Sequence, residues 1–267
     1  MTDGIAWEPL RSELDRWQAA GRVARFWLRD DDAVEPTLAL EMLMALAGEN
    51  EVPLTLAVIP GLTGEALAAR LVEKTAVTVA VHGWSHTNHA APEAKKQELG
   101  GERPAEFVLG ELGEGFRLLE RLHPARFLPV LVPPWNRIDA ALIPALPALG
   151  FAALSVYGRA KQGSPVPLLN THVDIIDWHG TRGGRGEAEL VAELVAELCD
   201  RFAGSDEPVG VLTHHLVHDA AAWDFLSALF AVTGGHPAVR WSSASELLDV
   251  DAQEVVSVEA EATDGCF

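Results

Sequence analysis

Continuous apolar runs alternate with amphipathic segments along almost the whole chain. The runs Val23–Leu28, Leu54–Ile59, Val77–Val81, Phe127–Leu131, Phe151–Val156, Val173–Ile176 and Val209–Leu212 lack the alternation of a half-exposed strand, and they predict strands buried on both faces. A weaker run lies at Ala238–Trp241. Between them the apolar residues recur at helical spacing. Thr37–Ala47 places Leu38, Met42, Leu43 and Leu46 on one predicted face, and Glu106–Leu122 carries Phe107, Leu109, Leu112, Phe116 and Leu119. Glu187–Phe202 repeats Leu190, Val191, Leu194, Val195 and Leu198. Further helices are expected at Glu8–Ala20, Thr63–Glu73 and Asp219–Ala231. Strand followed by helix, repeated seven or eight times, predicts a parallel α/β architecture. No linker or composition break divides the chain, so residues 1–250 are expected as a single α/β domain. Residues 251–267 hold five acids and no basic residue and are expected as a loose acidic tail.

Composition changes this picture only at its edges. Twenty Lys and Arg against 39 Asp and Glu give a net charge of −19, a field that repels phosphate backbones and anionic lipid. Nucleic acid and membrane are therefore excluded as general partners, and the sequence is silent on oligomeric state. Cys199 and Cys266 are too few for a disulfide framework or a cysteine zinc site. No basic and apolar leader is visible at the N-terminus, and cytoplasmic localisation is the expectation.

The ionisable residues gather just after the predicted strands. Strand one runs into Arg29-Asp30-Asp31-Asp32, strand three into His82-Gly83-Trp84-Ser85-His86 and strand four into Pro133-Pro134-Trp135-Asn136-Arg137. The sixth and seventh lead into Asp174-Ile175-Ile176-Asp177-Trp178 and Thr213-His214-His215. Each cluster alone has a plain reading as a solvated turn, a helix cap or an aromatic plug. Together they fall in one phase of the repeat, and both a βα barrel and an open doubly wound sheet would collect them at one edge. Two imidazoles and a carboxylate leave a coordination position open, which is the pattern of a catalytic metal site. Without a Glu beside the first His, His82-x-x-x-His86 does not read as the metalloprotease helix motif.

In this order the motifs resemble the polysaccharide deacetylase family, the NodB homology domain of carbohydrate esterase family 4. The resemblance covers residues 29–215. It implies a distorted (β/α)7 barrel and a hydrolase that uses a divalent metal, zinc in the first place, against C–N bonds. By the same resemblance Asp32, His82 and His86 hold the metal and Asp31 is the catalytic base. His214 is the acid, and Asp177 orients it. Pro134, Trp135, Trp178, Arg29 and Arg137 are the expected substrate-binding residues. The three consecutive acids also allow a second register, with Asp30 as base and Asp31 as ligand. Val132 stands where the family has an arginine paired with the base, so Arg29 or Arg137 is expected to supply that charge. The implied substrate is an N-acetylated sugar or another small amide, free or as an oligosaccharide. The alternative is an inert carbohydrate-binding barrel that keeps the metal site.

Overall fold

The computed structural model describes residues 6–249. The expected acidic tail lies outside them. Strands β1 (Ala24–Ala33), β2 (Leu54–Val58), β3 (Val77–His82), β4 (Phe127–Val132), β5 (Ala153–Leu154), β6 (Val173–Asp174), β7 (Val209–Thr213) and β8 (Val239–Trp241) form one parallel sheet. Its order is β5-β4-β3-β2-β1-β7-β6, with β8 pairing the start of β1. Helices α1 (Glu8–Ala19), α2 (Leu38–Glu49), α3 (Glu65–Leu71), α4 (Ala105–Leu122), α5 (Glu187–Phe202) and α6 (Ala220–Thr233) flank it. The sheet curls into a distorted seven-stranded barrel. Among the described residues no ladder joins β5 to β6; single bridges at Leu154↔Leu168 and Tyr157↔Thr171 tie the end of β5 to the segment that leads into β6.

The period of two along β1 sorts its side chains into two cores. Phe26 and Leu28 face the helices and join the large outer cluster with Leu40, Leu43, Leu226 and Phe230. Trp27 faces the barrel interior among Ala57, Ala80, Val130 and Ala153, where small residues leave room for the indole. The opposing Gly210 must be glycine, because a Cβ there would lie 2.5 Å from Trp27 Nε1. Residues 244–248 contribute Ala244 and Leu247 to the same inner cluster.

Two expectations are corrected here. Strand β1 does not stop at Leu28 but continues through all three acids to Ala33, so these are strand residues and not a following turn. Helix α2 buries Leu40, Leu43, Met44 and Ala47, while Leu38 is 79% and Met42 46% exposed. Thr37 caps this helix by accepting from the Leu40 amide at 3.1 Å. In α4, likewise, Phe107 is exposed and Val108 buried. No helix among the described residues is long and apolar enough to cross a membrane.

Candidate metal-dependent active site

Strict alternation along β1 would send Asp31 and Asp32 to opposite faces. The strand avoids this by an irregularity. Its pairing register with β2 shifts between Asp30 and Ala33, and Asp32 adopts a left-handed backbone with φ 71°. Asp31 therefore stays on the interior face with Trp27 and Arg29. Asp32 is turned toward the loop after β3, and Asp30 lies on the helix-facing side with Leu28. Of the three acids it is Asp32, and not Asp31, whose carboxylate meets both His82 and His86.

Asp32 Oδ1 lies 3.1 Å from His82 Nε2 and 3.2 Å from His86 Nε2. One ligand atom from each of Asp32, His82 and His86 falls within 4.8 Å of the others. The His82 Nδ1 proton is donated to the Val132 carbonyl at 2.9 Å. A neutral His82 therefore points an Nε2 lone pair at a carboxylate oxygen, an arrangement that needs a cation or a proton between them. The donor set of two imidazoles and one carboxylate suits zinc or a similar divalent ion. Burial opposes ionisation of Asp32, yet the His82 hydrogen bond and the two imidazole charges hold it well below the usual carboxylate range. Burial depresses His82, but hydrogen bonding to Asp32 and the charges of Asp31 and Asp32 outweigh that and raise it. His86 is lowered, chiefly by burial.

The loop between the two histidines is held by a residue that no motif marks. Glu98 is 1% exposed, and its carboxylate accepts from the Trp84 amide at 3.2 Å and the Ser85 amide at 2.8 Å. It also accepts from the Ser85 hydroxyl at 3.1 Å. Gly83 is needed here: φ is 59°, and a Cβ would stand 2.1 Å from Glu98 Oε2 and 2.6 Å from Pro134. Pro134 is buried against that glycine rather than open to a ligand. Trp135 packs its ring on His86 at 4.3 Å between centroids and forms a wall of the site.

Arg29 Nε lies 2.9 Å from Asp31 Oδ1, and Nη2 donates to Oδ2 at 3.0 Å. The guanidinium is fully buried and donates further to Ser155 Oγ and Asn136 Oδ1, both at 2.7 Å. Of Arg29 and Arg137, it is Arg29 that lies against Asp31. Its burial corrects the expectation that it binds substrate, because nothing can reach it from solvent. Arg137 instead donates to the Lys96 carbonyl and makes no contact with Asp31. His214 Nε2 stands 4.0 Å from Asp31 Oδ2, with the partly exposed Trp178 edge-on to its ring at 4.7 Å.

Asp177 is not placed as expected. Its carboxylate is taken up by the Gly180 and Thr181 amides, both at 2.9 Å, so it caps its own exposed turn and no hydrogen bond or ion pair joins it to His214. Asp174, the other acid of that segment, accepts from the Ile176 amide and from Trp178 Nε1. Burial raises the Asp174 pKa, and the His214 charge offsets only part of that rise.

No protein-family model matches the chain, and no curated protein matches it. Solved structures do. A provisionally assigned polysaccharide deacetylase from Mycobacterium smegmatis aligns with TM-score 0.65 and 18% identity, over 88% of this chain and 92% of its own. A family 4 acetyl xylan esterase from Clostridium thermocellum, solved with a cobalt ion, aligns with TM-score 0.51 and 14% identity, over 85% and 92%. A carbohydrate esterase family 4 pseudoenzyme from Bacillus anthracis aligns with TM-score 0.54 and 14% identity, over 85% and 66%. The fold is that of the polysaccharide deacetylases, with a divergent sequence.

Proposed function

We propose that the protein is a metal-dependent hydrolase that removes an acyl group, in the first place acetyl, from an N-acylated sugar or another small amide. The observation that carries this reading is the meeting of three elements at one barrel mouth. These are a three-ligand cluster, the arginine-held Asp31 and the His214 imidazole 4.0 Å from it. Asp32, His82 and His86 would hold the ion, zinc by donor chemistry. When bound, such an ion lowers the pKa of water toward neutrality and polarises the substrate carbonyl.

The chain's own residues account for the remaining chemistry. Asp31 accepts the proton of the attacking water, and Arg29 fixes the orientation of that carboxylate. His214 donates a proton to the leaving amine. The Trp135 amide is the donor assigned to the developing oxyanion: Pro133 and Pro134 have no amide, and those of Asn136 and Arg137 are bonded within the turn. Trp135 and Trp178 wall the acyl site. A net charge of −19 favours small neutral or cationic substrates over anionic polymers.

Purified protein is expected to carry about one metal per chain by elemental analysis, and His82→Ala to lose it. Asp31→Asn is expected to keep the metal and to lose turnover of N-acetyl sugars and small amides by about a thousandfold or more. A metal-free wild type would overturn the site. A metal-loaded wild type that binds oligosaccharide and turns over nothing would establish the inert binding barrel, the reading to which the pseudoenzyme neighbour gives weight.

A further inference from the structure

Asp30 belongs to no part of the site described above, yet it is one of the most completely buried carboxylates in the chain, at 0% exposure. It lies on the opposite face of β1 from Arg29 and Asp31. All of its hydrogen bonds come from the end of β7. Oδ2 accepts from Thr213 Oγ1 at 2.7 Å and from the His215 amide at 2.8 Å. Oδ1 meets His215 Nδ1 at 2.5 Å. These partners are the residues immediately before and after His214. In the sheet register Asp30 is paired with Thr213, so the contact is built into the β1–β7 ladder.

The imidazole of His214 has little else to hold it. Its Nδ1 is buried without a hydrogen-bond partner, and its packing partner is the edge of a partly exposed Trp178. Its backbone sits at φ −143°, ψ 85°, where β7 breaks into the 3-10 turn His215–Val217. A free peptide joint at that break would swing the imidazole away from Asp31.

We propose that Asp30 is a positioning residue that locks His214 relative to Asp31, by gripping both chain neighbours of the one while being the chain neighbour of the other. This rests on the assignment of Asp31 and His214 as base and acid. Stability alone gives no reason for the pair. Burying a carboxylate and an imidazole costs desolvation that two apolar side chains would avoid, and the surrounding outer core is apolar. What an apolar pair would not give is direction: three hydrogen bonds fix the angle and height of the Thr213–His215 segment. The third imidazole of the group, His218, packs on Trp223 at 4.5 Å, with both nitrogens unpartnered, and takes no part in the grip.

The test uses the full-length, metal-loaded protein with Asp30→Asn, Thr213→Val and His215→Phe. Metal content, kcat and KM are measured, and the His214 ring resonances are followed by NMR, assigned by their loss in His214→Gln. Asp30→Asn is expected to retain metal, to leave KM within about threefold, to lower kcat about 10- to 100-fold, and to shift and broaden the His214 resonances. Thr213→Val should move the same readouts less. Wild-type kcat and undisturbed His214 resonances in folded Asp30→Asn would overturn the proposal. So would metal loss that accounts for the whole effect. If Asp30→Asn fails to fold, undisturbed His214 resonances in both other variants overturn it, and displaced ones support it. If the wild type turns over no amide, the hydrolase reading fails by itself, and the resonances still decide whether Asp30 holds His214.

Discussion

Six non-glycine residues in the described chain have a left-handed backbone, and four of them, Asp32, His86, Trp135 and Asn136, line the candidate site. Each such residue costs about 1 to 3 kcal/mol and persists only where its surroundings over-determine it. Glu98 is the main restraint on the His86 loop, because its carboxylate ties two consecutive amides and a hydroxyl. Glu98→Ala should therefore weaken metal affinity about 10- to 100-fold while leaving all three ligands in place, a loss that chelator competition would measure. Breaking the Arg29–Asp31 pair should act on folding as well. Arg29→Met leaves a buried carboxylate unpaired, and about 3 to 5 kcal/mol of stability should disappear from the urea unfolding curve. The grouping of Asp32, His82 and His86 was readable in the sequence because two of them share one short segment after β3 and the third lies near the end of β1. Glu98 was not, because its partners are backbone amides, which have no sequence signature. Asp177 was misplaced for a related reason: β6 has only two residues, too few to fix which acid of Asp174-x-x-Asp177 looks inward.

At the scale of elements, strands were more legible than helix faces. The buried runs had no competing interpretation, and the strand cores fall where the apolar runs predict. Helix α2, with sequence LALEMLMALAGE, is apolar nearly all round, so its periodicity cannot choose a face and packing decides instead. The consequence is measurable. Leu43→Ala should cost about 2 to 5 kcal/mol and Leu38→Ala less than about 0.5 kcal/mol in urea denaturation, although the two lie five positions apart on one helix. The extension of β1 through its acids was hidden for the opposite reason. Charged residues argue against a strand until the parallel neighbours β2 and β7, and the groups that neutralise each acid, are known.

For the whole molecule, acid should be more damaging than the many carboxylates alone suggest. Burial holds His123 and His218 to about 4, against 6.5 for an unperturbed histidine. Their folded pKa is depressed, so above about pH 6.5 both states are neutral and nothing is lost. As pH falls from there toward 4, the unfolded chain takes up protons that the folded one refuses, and stability drops until both states are charged. The stability of His123→Phe relative to wild type should rise by up to about 3 kcal/mol between neutral pH and pH 4, read from urea midpoints at constant ionic strength. A second property of the whole lies in how the ring is closed. Strands β5 and β6 have two residues each, and between them isolated bridges tie residues 154 and 157 to residues 168 and 171, ahead of β6, where every other neighbouring pair in the ring shares a ladder. Such a ring opens first at its seam, so the amides of Leu154, Leu169 and Thr171 should exchange with deuterium well before those of Leu56 or Val79. Ser155 sits on that seam and holds Arg29. Each opening therefore slackens the support of Asp31, and the rhythm of the weakest closure in the barrel becomes a clock for the order of that carboxylate.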